Sequence, residues 1–317
     1  MTRILNAEAL GYCDEARALL QKLGTLTEGN LSRDELLAQV GGYDVLIVRL
    51  AHQVDRVVLA AGTRLKAVVT ATTGLDHIDT AYAASRDIAV LSLRGETAFL
   101  DSIWATAEHT WAVLLAVLRH IPQAHTSVRA GQWDRDLFRG RELARKRLGI
   151  VGLGRVGRKV ARYGLAFAMD VAAYSPQSEP WIDGVVQMPS LTTLLERSDV
   201  VSIHVPLNDQ TVGLIGARAL KRLPRGAVLV NTARGGIVDE AALVDALKTG
   251  HLAAAALDVI EHERAPRARN TGPLLAYARD HDNLLITPHI AGATHESMAD
   301  TEVFMARKLA AFLTPIA

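Results

Sequence analysis

The sequence predicts an α/β protein with parallel sheets divided between two domains. Apolar, β-branched runs alternate with segments of helical periodicity almost from end to end, which is typical of βαβ units around a parallel sheet. The 317 residues exceed one ordinary core, since a domain usually holds about 100 to 200 residues. A glycine pattern that follows a strand and opens a helix points in the same direction.

Eight apolar runs are the predicted strands of these sheets. They are YDVLIVR (43–49), LKAVVTA (65–71), RLGIVG (147–152), DVAAYS (170–175), DVVSIHV (199–205), GAVLVN (226–231), LAAAALDV (252–259) and NLLITPH (283–289). Residues 32–40 and 238–250 are predicted helices, the second of which begins with Asp and Glu and ends on a glycine, as capping and the helix dipole favour. A longer helical pattern covers 102–120, with Trp104, Trp111 and Leu118 seven apart; it is interpreted either as an ordinary buried helix or as a helix that pairs with a second subunit.

Composition narrows the class of function. Hydrophobic residues make up 49% of the chain and charged residues 22%, as in a folded globular protein, and the formal charge of +1 offers no attraction to nucleic acid or to an anionic membrane. The single cysteine, Cys13, forms no internal disulfide and has no companions for a metal cluster, which favours a reducing compartment and no metal site. The longest apolar runs are too short to span a bilayer, so we expect a cytoplasmic protein that binds small molecules.

The stretch GIVGLGRVG predicts a dinucleotide site. Gly152, Gly154 and Gly157 have the G-x-G-x-x-G spacing, in which the first glycine makes a tight turn, the second admits a pyrophosphate and the third lets helix and strand pack closely. The following strand should end in an acid for NAD or lie near an arginine for NADP, but Ser175 stands there. NAD is therefore expected and NADP is not excluded.

Three chemically suited side chains follow successive predicted strands near the C-terminus. Arg234 follows one strand, a group of acids (Asp258, Glu261 and Glu263) follows the next, and His289 follows the third. Together they suit hydride transfer to a 2-oxo acid: imidazole exchanges the hydroxyl proton, a carboxylate stabilises its charged form, and the guanidinium anchors the substrate carboxylate. The alternative is that Arg234 and Glu263 form a structural ion pair while His289 only packs at a strand end.

From Asp44 to about Thr294 the chain resembles the D-isomer-specific 2-hydroxyacid dehydrogenase family. The matching stretches occur in the family's order: TTGLDHID (72–79), TAEHTWAVLLAVLR (106–119), GIVGLGRVG (149–157), HVPLNDQTVGLI (204–215), NTARGGIVDE (231–240), ALDVIEHE (256–263) and TPHIAG (287–292). The resemblance implies an NAD(P)-dependent oxidoreductase of the EC 1.1.1 type, with Arg234 on substrate, His289 as acid–base and Glu263 as its partner. Glu263 is preferred to Glu261 because the family's glutamate lies five residues after the aspartate that matches Asp258.

The resemblance also implies a set of binding positions. The cofactor positions are Thr106, Gly152, Gly154, Arg155, Val156, Gly157, Ser175, His204, Val205, Pro206, Thr232, Ala233, Asp258 and Gly292. Asp258 is similar to an aspartate that touches the nicotinamide carboxamide. The backbone of Thr73 and Gly74 resembles the segment that holds the substrate carboxylate, and Arg49 stands where family members contact the substrate's distal group; the alternatives are an ordinary turn and a solvated charge.

The implied fold is two doubly wound parallel-sheet domains. A Rossmann-like cofactor domain, residues 99–289, is inserted into a smaller, flavodoxin-like substrate domain, residues 1–98 plus 290–317. The helix that contains Trp104 and Trp111 resembles the family's dimerisation arm, so a homodimer is expected.

Two departures leave the substrate open. Arg264 follows Glu263 where the family often has proline, and the 264–272 loop is interpreted either as a specificity element or as a solvated insertion. The chain ends soon after its last helix, and no appended regulatory domain is expected.

Glu263 disfavours formate oxidation, because the family's formate enzymes carry glutamine there, whereas phosphite and phosphoglycerate oxidation remain alternatives. A dinucleotide-sensing, corepressor-like binding protein is the alternative from another class; its long extensions are not expected here.

Overall fold

The computed structural model describes residues 1–176, 181–263, 265 and 272–314, which form two compact units. The first unit is Met1–Ile103 together with Ala293–Ala317, and the second is Trp104–Gly292. Each unit contains one sheet in which every strand pair is parallel. The predicted α/β class, with one doubly wound unit inserted into another, is confirmed.

The first unit contains a five-stranded sheet in the order β2-β1-β3-β4-β5, which is the flavodoxin-like order. Its strands are β1 (Thr2–Asn6), β2 (Gly24–Glu28), β3 (Val45–Val48), β4 (Ala67–Thr70) and β5 (Ala89–Leu91). Its helices are α1 (Asp14–Leu23), α2 (Arg33–Gln39), α3 (Arg56–Ala61), α4 (Thr80–Ser85), α5 (Thr97–Leu100) and the final helix, α13 (His295–Leu313), with a 3₁₀ turn at Val40–Gly42.

The second unit contains a seven-stranded sheet in the order β12-β11-β10-β9-β6-β7-β8. Its strands are β6 (Arg147–Val151), β7 (Asp170–Tyr174), β8 (Val185–Gln187), β9 (Val200–Ile203), β10 (Ala227–Asn231), β11 (Leu252–Leu257) and β12 (Leu284–Ile286). Its helices are α6 (Ala105–Leu118), α7 (Ile121–Arg129), α8 (Arg155–Ala166), α9 (Leu191–Glu196), α10 (Ala217–Leu220), α11 (Glu240–Lys248) and α12 (Pro273–Ala278), with 3₁₀ turns at Arg135–Phe138 and Gly235–Ile237. The strand order reverses between β6 and β9, and at such a point ligands bind beyond the carboxyl ends of the strands.

The core of the first unit has two layers, one on each face of its sheet. Successive residues of a strand point to opposite faces, so Ile4 of β1 packs in the layer that contains Met305 and Leu309 of α13. Its neighbour Leu5 packs in the opposite layer with Leu36 of α2. The final helix therefore completes a core that the first hundred residues begin.

Local sequence explains where several of these elements begin. Ser32 accepts a hydrogen bond from the backbone N–H of Glu35, and the Glu35 carboxylate accepts one from Ser32, which makes a capping box at the start of α2. Asp239 caps α11 by accepting from the backbone N–H of Ala242. Each of the eight predicted strands contains one observed strand, and both predicted helices are present. The sequence analysis missed β1, β2, β5 and β8.

The long pattern at 102–120 forms α6, which packs inside the second unit. Trp111 is buried and stacks on Phe167 with ring centroids 4.7 Å apart, whereas Trp104 lies at the start of the helix beside Lys159. The segment that follows is largely exposed. None of the helices in the described parts of the chain has both the length and the apolar character needed to cross a membrane.

Candidate active site

Three adjacent strands of the second unit bring Arg234, Glu263 and His289 to one edge of the sheet. Asn231, Leu257 and Ile286, the last residues of β10, β11 and β12, are in register with one another. Arg234 comes three residues after β10, Glu263 six residues after β11 and His289 three residues after β12. All three side chains therefore start from the carboxyl edge, where doubly wound folds bind their ligands.

His289 and Glu263 form a close pair. Nδ1 of His289 lies 2.5 Å from Oε1 of Glu263, and each side chain is about one-fifth exposed, at 21% and 23%. A carboxylate only accepts, so Nδ1 carries a proton, and Nε2, on the far side of the ring, is the nitrogen left to exchange one. His289 lies beyond the end of β12 and has a left-handed backbone, with φ +55°. His289 therefore belongs to a turn that follows the strand and is not the strand's last residue.

Asp258 holds that turn in place. Its carboxylate accepts hydrogen bonds from the backbone N–H groups of Ile290 (2.9 Å) and Ala291 (2.7 Å) and from the Thr287 hydroxyl (2.6 Å), while its own carbonyl accepts from the N–H of His289 at 2.8 Å. Burial alone would raise the pKa of Asp258, but these hydrogen bonds together with His109 lower it below its ordinary value. The ionised carboxylate is thus fully buried and fixes the backbone that presents His289.

A histidine that the sequence analysis missed completes this network. Nε2 of His109, on α6, lies 3.0 Å from the Thr287 hydroxyl and 3.3 Å from Oδ1 of Asp258. The next residue of α6, Thr110, has its hydroxyl 2.8 Å from that of Thr232, which follows β10. The TAEHT stretch, known only as a family match, therefore contributes polar side chains that tie α6 to the carboxyl edge of the sheet.

The Arg234 loop packs directly on the loop that leads to Glu263. Nη1 of Arg234 donates to the carbonyl of Ala233 at 2.8 Å, and the Arg234 carbonyl accepts from the Asn231 side chain at 2.9 Å. A Cβ on the next residue, Gly235, would stand 2.0 Å from the carbonyl carbon of Ile260 and 2.3 Å from the nitrogen of Glu261. Only glycine allows this approach, so Gly235 sets the spacing between the Arg234 loop and the loop that leads to Glu263; its signal in the sequence was the pair of glycines after Arg234.

The glycine loop after β6 has the shape that a dinucleotide requires. Gly152 has φ +93°, and a Cβ there would lie 2.7 Å from Val205. A Cβ on Gly157 would lie 2.1 Å from the carbonyl oxygen of Gly152, so the third glycine lets α8 pack against the loop. A Cβ on Gly154, at the start of α8, meets nothing within 4 Å. The open space therefore lies at the helix N-terminus, where backbone N–H groups and the helix dipole attract phosphate.

The remaining predicted cofactor positions lie around this edge of the second unit. Oγ of Ser202 is 2.7 Å from Nε2 of His204, and burial lowers the pKa of His204 to about 3, so that its imidazole is neutral. Ser175 directly follows β7 and is half-buried. Thr106, Arg155, Val156, Val205 and Ala233 are half-buried, Thr232 is buried, and Pro206 and Gly292 are exposed.

The predicted substrate residues belong to the first unit. Thr73 and Gly74 follow β4, where the Thr72 hydroxyl donates to the Gly74 carbonyl at 2.8 Å. Arg49 follows β3, and its Nη2 donates to the carbonyls of Glu8 and Leu10, both at 2.5 Å. The structure thus gives the Arg49 guanidinium partners within its own unit.

The proposed specificity loop, residues 264–272, lies almost wholly outside the described residues, as do 177–180 beyond Ser175. Within the parts of the chain that the structure does describe, no group of three or more His, Cys, Asp and Glu side chains is placed to hold a metal ion.

Comparison with known families gives a match over the second unit. The family described as "D-isomer specific 2-hydroxyacid dehydrogenase, NAD binding domain" matches residues 111–291, which is more than half of the chain and includes the glycine loop, Arg234, Glu263 and His289.

Individual relatives are similar over nearly the whole chain. A D-3-phosphoglycerate dehydrogenase of Archaeoglobus fulgidus is 40% identical over 97% of this chain, but the chain spans only 56% of that enzyme's length. A hydroxypyruvate reductase of Thermotoga maritima is 37% identical over 93% of this chain and 94% of its own. The crystal structure of an Aquifex aeolicus D-lactate dehydrogenase in complex with NAD and lactic acid is 28% identical, with a TM-score of 0.81 over 98% of this chain and 95% of its own.

Proposed function

Because the chain belongs to the D-isomer-specific 2-hydroxyacid dehydrogenase family, we propose that it interconverts a 2-oxo acid and a D-2-hydroxy acid with NAD(H) or NADP(H). The observation that carries this proposal is the pair formed by His289 and Glu263, 2.5 Å apart, at the carboxyl edge shared with Arg234. The nicotinamide, when bound, supplies or accepts the hydride at C2 of the acid.

His289 is the acid–base of this reaction. In the reductive direction the oxygen on C2 gains a proton as the carbonyl bond becomes a hydroxyl, and in the oxidative direction it loses that proton. Nε2 of His289 is the exchanging atom, because Nδ1 is held by Glu263. Glu263 orients the ring and stabilises its positive charge, and Asp258 holds the backbone turn that aims it.

Arg234 anchors and polarises the substrate. A guanidinium forms two parallel hydrogen bonds with a carboxylate, and it also stabilises negative charge on the neighbouring oxygen. The packing of Gly235 on Ile260 sets how far Arg234 stands from the Glu263 loop. We assign the backbone N–H groups of Thr73 and Gly74 in the first unit to the substrate carboxylate as well.

The two units have different tasks in this proposal. The second unit binds the dinucleotide, with its pyrophosphate over Gly154 and the N-terminus of α8, and the first unit contributes Thr73 and Gly74 to binding of the acid. The remaining cofactor positions are those predicted above, from Thr106 to Gly292. We also propose a homodimer, in which the segment after α6 packs against a second copy; Ile121, Val128, Trp133 and Leu137 are all about half exposed or more, and Trp133 is 90% exposed.

The test is the absorbance of NADH, and separately of NADPH, during incubation with a panel of short 2-oxo acids. Formate, phosphite and 3-phosphoglycerate are assayed with the oxidised cofactors. We expect oxidation of NADH or NADPH by at least one 2-oxo acid, with turnover lost in His289→Ala and retained in His295→Ala, which removes an exposed histidine at the start of α13.

Two outcomes would contradict the proposal. Unchanged turnover in His289→Ala or Arg234→Ala would remove these residues from the chemistry. Tight dinucleotide binding without turnover of any substrate in the panel would favour the dinucleotide-sensing binding protein.

A further inference from the structure

The loop after β3 contains an anion site made of backbone N–H groups, and a side chain of the protein fills it. The N–H groups of Leu50 and Ala51 both donate to Oε2 of Glu8 at 3.1 Å, and that of His52 donates to Oε1 at 3.1 Å. Three successive N–H groups that converge on one anion form a nest, the arrangement that proteins use for phosphate and carboxylate groups. Glu8 reaches it from the loop after β1, 42 to 44 residues away in the chain.

This nest lies at the ligand-binding edge of the first unit. Strand β3 pairs with β4, so the loop 50–52 leaves the same carboxyl edge as Thr73 and Gly74. Glu8 is half-buried and Ala51 is exposed, which leaves the nest close to solvent. A ligand held by Thr73 and Gly74 therefore has this loop as a neighbour within the unit.

Arg49, the cation that directly precedes this loop, is also occupied. Arg49 donates to the carbonyls of Glu8 and Leu10, and its Nη1 lies 3.5 Å from the buried carboxylate of Glu302 on α13. The N–H nest and the Arg49 guanidinium, two features at this edge that attract an anionic group, are thus satisfied by the protein itself.

We propose that Glu8 is a specificity-determining residue that excludes 2-oxo acids with an anionic distal group. This inference rests on the proposed function and names its substrate class: short 2-oxo acids whose distal end is uncharged. A distal phosphate at this loop would meet the negative charge of Glu8 on the backbone N–H groups that could otherwise bind it, and like charges at short range repel. Removal of Glu8 exposes three donors and converts the loop into a phosphate site.

The experiment compares two substrates that differ only by a phosphate, hydroxypyruvate and phosphohydroxypyruvate. The variants are Glu8→Ala, which empties the nest, and Glu8→Gln, which keeps an acceptor oxygen without the charge. Glu15→Ala is the matched control, because Glu15 is an exposed acid of the same unit that pairs with Arg307 and lies on α1. In the wild type we expect kcat/KM for the phosphorylated acid to be at least about tenfold below that for hydroxypyruvate.

Glu8→Ala is expected to raise kcat/KM for phosphohydroxypyruvate, relative to that for hydroxypyruvate, by about tenfold or more. Glu8→Gln should raise this ratio by less, and Glu15→Ala should leave it unchanged. A second readout needs no activity: inorganic phosphate should raise the Tm of Glu8→Ala and leave that of the wild type and Glu15→Ala unchanged, since a ligand stabilises the state that binds it. If Glu8→Ala does not fold, Glu8→Gln carries both measurements.

Two results would overturn the inference. One is wild-type turnover of phosphohydroxypyruvate equal to that of hydroxypyruvate. The other is a Glu8→Ala protein, or Glu8→Gln if Glu8→Ala does not fold, that responds to phosphate no more than Glu15→Ala. If no 2-oxo acid is turned over at all, the proposed function fails, and the phosphate-dependent Tm still decides whether Glu8 fills an anion site.

Discussion

Asp258 shows how a single buried carboxylate determines the position of a functional side chain. It receives hydrogen bonds from the backbone at Ile290 and Ala291, from Thr287 and from His109, and its carbonyl receives one from His289. His289 itself has a left-handed backbone, which costs energy in any residue with a side chain. The hydrogen bonds to Asp258 therefore hold this turn in place against the cost of the left-handed backbone.

Replacement of this carboxylate should affect both stability and turnover. In Asp258→Asn the amide cannot accept every donor, and its own NH₂ faces backbone N–H groups, so we expect a loss of about 2 to 3 kcal/mol in the free energy of unfolding. We also expect a fall in kcat, because His289 is no longer aimed. Urea unfolding and steady-state kinetics measure the two effects, with the exposed Asp209→Asn as control. Full kcat in Asp258→Asn would contradict this role.

The same residue predicts a pH dependence. The pKa of Asp258 is lowered in the folded state, so its contribution to stability is present above the unfolded value of about 3.9 and is lost as pH falls through the folded value. The difference in unfolding free energy between wild type and Asp258→Asn should be full at neutral pH and should shrink below about pH 4. Urea unfolding at a series of pH values checks this, and a difference that grew on acidification would contradict it.

Two adjacent glycines give a sharp test of the contact between the Arg234 and Glu263 loops. A Cβ on Gly235 meets the Ile260 carbonyl carbon at 2.0 Å, whereas a Cβ on Gly236 meets only Leu207 at 3.5 Å, an ordinary contact. We expect Gly235→Ala to lower kcat/KM by about 100-fold, because a displacement of about 1 Å is enough for such a loss. Gly236→Ala should stay near wild type. Equal effects of the two substitutions on kcat/KM would rule out the spacing role.

Sequence predicts the residues of this site unevenly. His289, Glu263 and Arg234 could be proposed from the sequence because each follows an apolar run and has a chemical type that suits the reaction. His109 and Thr287 were missed as a pair because 178 residues separate them and neither has a local signal. The same holds for Glu8, whose partners lie more than 40 residues away. Contacts of this kind depend on strand order, which no short stretch encodes.

At the scale of elements, the glycines of the strand–loop–helix formed by β6 and α8 serve different requirements, some of the fold and some of cofactor binding. Gly152 is required by the fold, since its φ is +93° and a Cβ would strike Val205. Gly154 has open space around it, and this space is where we place the pyrophosphate. The glycines of one motif are therefore required for different physical reasons.

Alanine substitutions distinguish these reasons. Gly152→Ala should destabilise the protein by about 1 to 3 kcal/mol without any cofactor, because of strain and overpacking. Gly154→Ala should keep the wild-type Tm and bind NADH at least about tenfold more weakly, since its Cβ enters the phosphate space. Thermal unfolding and fluorescence titration with NADH give the two values. A Gly154→Ala protein that binds NADH like the wild type would move the pyrophosphate elsewhere.

Elements with strong local signals were predicted, and weak ones were not. The capped helices α2 and α11 carry their signals in the sequence, and the buried strands carry continuous apolar runs. The missed strands are short or half-buried: β5 has three residues, all partly exposed, and β8 has three, of which one is buried. Such strands form because a neighbouring strand offers hydrogen bonds. Their position is therefore determined by the sheet and not by their own residues.

At the scale of the whole molecule, the proposed homodimer predicts a mass of twice 34.2 kDa in solution. The exposed apolar residues after α6 should be buried between the copies, so Trp133→Lys combined with Leu137→Lys should give a monomer with an intact fold. Val57→Lys, a comparably exposed position on α3, is the control. Sedimentation equilibrium measures the mass. A dimeric double variant, or a monomeric wild type, would contradict the proposal.

The first unit is assembled from both ends of the sequence, because Met305, Ala306 and Leu309 of α13 enter the core layer begun by Ile4. During translation, at about 5 to 20 residues per second, the whole second unit is synthesised before α13. The second unit is continuous, so it can fold as soon as it emerges. The first unit must wait for α13, because without it one of its two core layers is incomplete. A nascent chain can therefore complete its NAD-binding domain before its first unit, whose remaining core layer forms only when α13 arrives.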